Sequence, residues 1–218
     1  MVRLSRSVPP ILLALSLACG GAPPEAPPAS ASPAPVEAPS PPDRVMARVS
    51  GRAPAARGMV RSIVVLEPHG EIDVPVPEEM PVMDQYGRQF VPTFMMVRAG
   101  QTINFTNSED DLHTVHVKDE AGESLINVAT IMGSSYELLV ERPGVYTVIC
   151  NTHTEMFADI LAFDTPYFVQ ADEDGRFAFD DVVPGAYTAT VIFGGDRTAQ
   201  DVEIVAGIND LDLAGGAG

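Results

Sequence analysis

The stretch Tyr146-Thr147-Val148-Ile149-Cys150-Asn151-Thr152-His153-Thr154-Glu155-Met156 decides how the rest of this chain is read. Its first half is a run of β-branched and aromatic residues, the composition of a strand. Its second half breaks that run and sets out Cys, His and Met as C-x-x-H-x-x-M. Each side chain alone has an ordinary explanation: methionine fills cores, a cysteine is often a buried inert thiol, and a strand-end histidine is usually a surface or core residue. Together they offer most of the set that a type 1 copper ion takes, a thiolate and two imidazoles in a trigonal plane with a weak axial thioether.

The other imidazole has to come from elsewhere. The segment Asn107-Ser108-Glu109-Asp110-Asp111-Leu112-His113-Thr114-Val115-His116 offers two at the mouth of a second predicted strand. His113 and His116 are three positions apart, so on a strand they face opposite sides and do not share one metal. His113, which follows the loop directly, is the favoured ligand and His116 its rival. His69, in Glu67-Pro68-His69-Gly70, reads as a loop residue without a partner.

An Asn-containing loop ending in His-x-Val-His, followed by a Cys-x-x-His-x-x-Met loop, resembles the cupredoxins of the plastocyanin and amicyanin group, and loop length places it nearest amicyanin. The resemblance covers roughly Met83 to Phe163. It implies a Greek-key β-sandwich and one type 1 copper, with His113 and His153 as imidazole ligands, Cys150 as thiolate and Met156 as axial ligand. In that family the loop histidine is the exposed ligand within an apolar patch, so His153 with Met156 and Phe157 marks the expected electron exit. Thr114 stands where the family has Asn, and Thr154 where it often has Pro. Outer hydrogen bonds tune a metal, so both departures bear on the reduction potential.

Other chemistries fit this loop less well. Zinc has no use for a thioether, a binuclear copper centre needs a second loop cysteine, and c-type haem needs Cys-x-x-Cys-His. A cysteine hydrolase draws its nucleophile from a helix N-terminus or beside a base, whereas Cys150 ends a strand and Met156 would be idle. The expectation is therefore an electron carrier and not an enzyme. Copper handling by the same ligands, or a metal-free surface module, are the alternatives.

Outward from this centre the chain continues in short strand-like runs, among them Ser62–Leu66, Thr93–Val97, Thr102–Phe105, His113–Val117, Tyr136–Val140 and Tyr187–Ile192, separated by Gly, Pro, Asn and Asp. No long 3.6-residue period competes, so the expected class is all-β. After the copper loop, the turn Asp172-Glu173-Asp174-Gly175-Arg176-Phe177 and the corner Val183-Pro184-Gly185-Ala186-Tyr187 resemble the second half of a carboxypeptidase-regulatory-like, transthyretin-like β-sandwich. Its usual opening stands before the cupredoxin-like stretch, as Ala47–Arg52 and Ile63–Leu66. The expected organisation is thus a second small sandwich split over residues 44–80 and 164–212, with a cupredoxin domain over 81–163 inserted at a loop tip, where insertion is best tolerated.

The beginning of the chain reads as targeting sequence. Arg3 and Arg6 precede the apolar run Ile11–Ala18, too short for a membrane span. Leu15-Ser16-Leu17-Ala18-Cys19-Gly20 resembles a bacterial lipobox, which implies cleavage of residues 1–18 and lipidation of Cys19. Residues 19–43, rich in Pro and Ala, lack the apolar content to fold and form a disordered tether. Export to the periplasm or cell envelope follows, with membrane contact only through the lipid. Net charge is 13 − 30 = −17, and 11 − 30 = −19 once Arg3 and Arg6 leave with the leader. Such a surface repels nucleic acid and attracts a basic redox partner such as a c-type cytochrome, with Glu109-Asp110-Asp111, just ahead of His113, as the expected guide.

Overall fold

A computed structural model describes residues 45–216, so the leader, Cys19 and the tether lie outside the described residues. The chain is all-β. In order, the strands are β1 Ala47–Arg52, β2 Ile63–Pro68, β3 Val82–Gln85, β4 Phe90–Val91, β5 Phe94–Arg98, β6 Thr102–Asn107, β7 His113–Lys118 and β8 Ser124–Thr130. They continue as β9 Ser135–Leu139, β10 Gly144–Ile149, β11 Phe157–Phe163, β12 Phe168–Gln170, β13 Arg176–Val182, β14 Gly185–Phe193, β15 Asp196–Ile204 and β16 Gly207–Asp212.

Alternation along each strand decides which side chains are buried. Ile103, Phe105 and Asn107 of β6 face inward, as do His113, Val115 and Val117 of β7. Tyr146 and Val148 do so on β10, and Ala158, Ile160 and Ala162 on β11. Strands β5-β11-β10-β7-β8 form one sheet and β4-β3-β6-β9 another. Met83, Phe90, Ile103, Phe105, Val115, Val148 and Ile160 from the two sheets bury a shared core, each full burial worth about 1.5–3 kcal/mol. The β11–β5 and β3–β6 pairs are parallel, which is how strands distant in sequence close the two layers.

The pole that carries the site is set by register. β10 and β11 form an antiparallel hairpin that ends in the pair Ile149↔Phe157, leaving residues 150–156 as its loop. β7 runs antiparallel to β10, so β7 begins where β10 ends. His113 continues the inward parity of β7, Cys150 that of β10, and Met156 that of β11, so all three project to the core side at one end of the sandwich.

A second pair of sheets, β13-β1-β16 and β12-β2-β14-β15, buries Val49, Leu66, Phe177, Phe179, Tyr187 and Ile204. Strands from before residue 69 and after residue 167 thus share these sheets. The turn before β13 needs Gly175: its φ is +79°, and a Cβ there would stand 2.1 Å from the Ala53 carbonyl oxygen. β2 is buried on both faces, Val64 and Leu66 in this core, Ile63 and Val65 in a seam with Phe163. Phe163 stacks on Phe168 across the seam at 4.8 Å.

Candidate metal centre

Three ligand atoms converge at the loop pole. Cys150 Sγ lies 3.8 Å from His113 Nδ1 and 3.9 Å from His153 Nδ1, and the two Nδ1 atoms are 2.9 Å apart. A point in their plane about 2.0 Å from each nitrogen falls about 2.2 Å from the sulfur, the range of imidazole and thiolate bonds to a first-row metal ion. Two imidazoles and a thiol are borderline and soft ligands suited to copper, so the donor set fits the expected metal. Met156 is buried in the same loop, which is closed by Cys150 N–H donating to Met156 O at 3.2 Å and Met156 N–H to His153 O at 3.0 Å.

Each ligand is held by its neighbours. His113, fully buried at the start of β7, turns its Nε2 to the Glu109 carboxylate. With Nε2–H donated there, the Nδ1 lone pair points at Cys150. Glu109 also accepts N–H bonds from Gly87 at 2.8 Å and Arg88 at 3.1 Å. Desolvation pushes its carboxyl up, but the Arg88 N–H, the His113 ring and the Gly87 N–H outweigh it and hold the group below its ordinary value. Buried Asn107 shapes the loop by accepting Glu109 N–H and donating to the carbonyls of Asp111 and Thr130.

Burial raises the Cys150 thiol, yet donors around the sulfur bring it down to about 5. These are the Thr152 hydroxyl at 2.9 Å, the Thr114 N–H at 3.4 Å and the His153 backbone N–H. Thr114, in the position of the family's Asn, also joins the two loops, accepting Asn151 N–H at 2.6 Å. Behind it, buried Gln85 of the opposite sheet donates to Thr114 O at 3.1 Å and accepts the Thr130 hydroxyl at 2.5 Å. The sheets are thereby fastened to each other directly under the site.

His116 points to the other face of β7, with Nδ1 3.2 Å from Asn151 Oδ1, and takes no part in the cluster. His69 is not partnerless: its Nε2 lies 2.9 Å from Thr188 Oγ1 and 3.5 Å from Asp201. Of the three acids expected to guide a partner, Glu109 is engaged with His113, and Asp111 pairs with Arg88 at 3.1 Å. That leaves Asp110 as the acid of this run with no ion pair among the described residues. At the expected exit, His153 is half-buried and Phe157 is 63 % exposed, but Met156 is sealed inside. Leu112, Ile131 and Met132, which adjoin His113 and its partner Thr130 in the chain, are exposed as well. The roles of Glu109 and Thr152 were missed in the sequence. Nothing but loop proximity signals them, since an irregular loop has no period from which facing pairs are read.

Residues 82–161 match the family model for copper binding proteins of the plastocyanin/azurin family, which marks this stretch as cupredoxin-like. No curated protein matches the chain. Similar solved structures include a purple cupredoxin from Nitrosopumilus maritimus, 19% identical, covering 38% of this chain and 99% of that one with a TM-score of 0.35. A reduced amicyanin variant is 19% identical, covering 45% of this chain and 99% of its own, with a TM-score of 0.37. A copper(I) form of another amicyanin variant is 18% identical and covers 47% and 99%, also at 0.37.

Proposed function

We propose that this protein is an exported type 1 copper electron carrier, its ion held by Cys150, His113 and His153 with Met156 as axial ligand. The observation that carries this reading is the meeting of one sulfur and two imidazole nitrogens within 3.9 Å of each other at the closed end of a β-sandwich. The copper would supply one-electron chemistry, Cu(II) to Cu(I) and back.

The chain's own residues do the rest. Glu109 fixes the His113 ring through Nε2, and the Gln85–Thr114–Thr130 network holds the strand ends rigid. Little needs to move when charge changes. Inward-facing Val115, Val148 and Ile160 exclude water behind the sulfur, while half-buried His153, on the pole where Leu112, Ile131, Met132 and Phe157 are exposed, gives the electron its way out. A redox protein with an apolar contact surface and basic margins, such as a c-type cytochrome, suits this face and the net charge of −17.

We also propose that the flanking sandwich is carboxypeptidase-regulatory-like and carries the copper domain as an insertion, on the support of β1 pairing with β13 and β16, and β2 with β12 and β14. Its place is that of a rigid stalk between the copper domain and a lipid at Cys19.

Adding Cu(II) to the purified protein tests the central reading. An intense visible absorption from thiolate-to-copper charge transfer is expected, and Cys150→Ala should abolish it. Copper uptake without that band would discard the electron-carrier assignment, and slow electron self-exchange with fast copper release would favour copper handling instead.

A further inference from the structure

The reduction potential of this site is set in part by a side chain outside the ligand set. We infer that Thr152 is a potential-setting residue, its hydroxyl donating to the Cys150 sulfur and favouring the reduced state, an inference that rests on the copper reading above.

Thr152 Oγ1 has three acceptors within reach: Cys150 Sγ at 2.9 Å, Leu112 O at 3.2 Å and His153 Nδ1 at 3.4 Å. It has one proton to give. Metal coordination takes the Nδ1 lone pair, which removes that acceptor. Between a neutral carbonyl and an anionic sulfur, the charged acceptor forms the stronger bond, and it is also the nearer one. The threonine hydroxyl therefore turns to the thiolate. Thr114 behaves differently. Its Oγ1 is 3.7 Å from the sulfur and is already engaged with the Asn151 N–H, so its part is to hold the loops together.

On reduction, Cu(II)–thiolate gains one electron from the redox partner and becomes Cu(I)–thiolate. No bond between heavy atoms breaks, and the proton stays on the Thr152 oxygen. The added electron leaves the metal–sulfur unit more negative, so a hydrogen bond donated to sulfur stabilises the reduced form more than the oxidised one. Hydrogen bonding at the cysteine sulfur is an established lever on such potentials. The position is specific to this loop, because Thr152 is the second residue after the cysteine and has both a hydroxyl and a side chain held between two loops.

The test compares Thr152→Val, which keeps the shape, with Thr152→Ser, which keeps the hydroxyl. Copper-loaded Thr152→Val is expected to retain the thiolate-to-copper band and the wild-type melting temperature. Its reduction equilibrium should shift about tenfold toward Cu(II), a potential lower by about 59 mV for one electron. Thr152→Ser should stay close to wild type. Resonance Raman gives an independent readout: in D2O the copper–sulfur stretch of wild type should shift through the exchangeable hydroxyl, and part of that shift should vanish in Thr152→Val. If the valine variant takes up no copper, Thr152→Ala repeats the deletion with less bulk. A hydroxyl-deleted variant at the wild-type potential with its band intact overturns the inference and leaves the copper reading standing, as does a serine variant that behaves like valine. Wild-type protein without a thiolate-to-copper band overturns both.

Discussion

Cys150 shows burial and hydrogen bonding pulling one side chain in opposite directions. Burial favours the neutral thiol, and the donors led by Thr152 favour the thiolate strongly enough to bring its pKa from 9.0 to about 5. The folded value lies below the unfolded one, so the stabilisation from this group is complete above pH 9 and lost as pH falls through about 5. Metal-free protein should accordingly lose stability across that window, and Cys150→Ser should flatten the slope. Denaturant unfolding of both proteins at several pH values checks this, with thiolate ultraviolet absorbance reporting the midpoint directly. A midpoint at the ordinary thiol value would remove the account. The meeting of His113, Cys150 and His153 was legible in the sequence because His113 opens a strand, Cys150 follows directly on one, and His153 lies three residues on in the same short loop. Parity separates His113 from His116, and the place of His113 directly after the loop chose between them. Glu109 was read as a steering charge, since a sequence shows that a carboxylate is near a histidine without showing that the loop folds back to join them.

At the scale of elements, strand existence was written in composition and strand ends were not. Tyr146–Cys150 was expected as strand, yet β10 closes at Ile149 because Cys150 N–H turns to Met156 O across the loop. The two-residue β4 and the exposed edge strand β16 carry too little apolar pattern to be seen in advance. Turn motifs were more informative. Arg142-Pro143-Gly144-Val145-Tyr146 and Val183-Pro184-Gly185-Ala186-Tyr187 repeat one local design, each tyrosine hydroxyl donating to the carbonyl four residues back, at 2.7 Å and 2.6 Å. The Asp172–Arg176 turn is equally constrained. Gly175 adopts a φ of +79° against the Ala53 carbonyl. An alanine there meets both a left-handed backbone, costing about 1–2 kcal/mol, and a backbone clash that no side-chain movement relieves. Gly175→Ala should therefore destabilise the protein by about 2 kcal/mol or more while leaving the copper spectrum of folded protein unchanged. Urea unfolding with a visible-absorption control measures both.

For the whole molecule, the consequential feature is the seam through which two sandwiches meet. The run Ile63–Leu66 was expected as a strand, but that both its faces are buried, and by which bodies, was not read, because that depends on contacts a hundred residues away. Ile63 and Val65 look into a cluster with Phe163, packed about by Phe94, Leu161, Phe168 and Ile192. Since Phe163 ends the strand that begins just after Met156, one element joins the metal loop to the seam. Both sandwiches should therefore unfold together, in one calorimetric transition that copper raises as a unit through preferential binding to the folded state. Truncating Phe163 to alanine removes a buried ring, a change worth about 3–5 kcal/mol, and takes it from the contact that enforces this coupling. Phe163→Ala should split the transition in two, with copper raising only the half that contains Cys150, His113 and His153. Wild-type protein that already melts in two independent steps, one of them indifferent to copper, would show that the seam holds the sandwiches side by side without making them one cooperative unit.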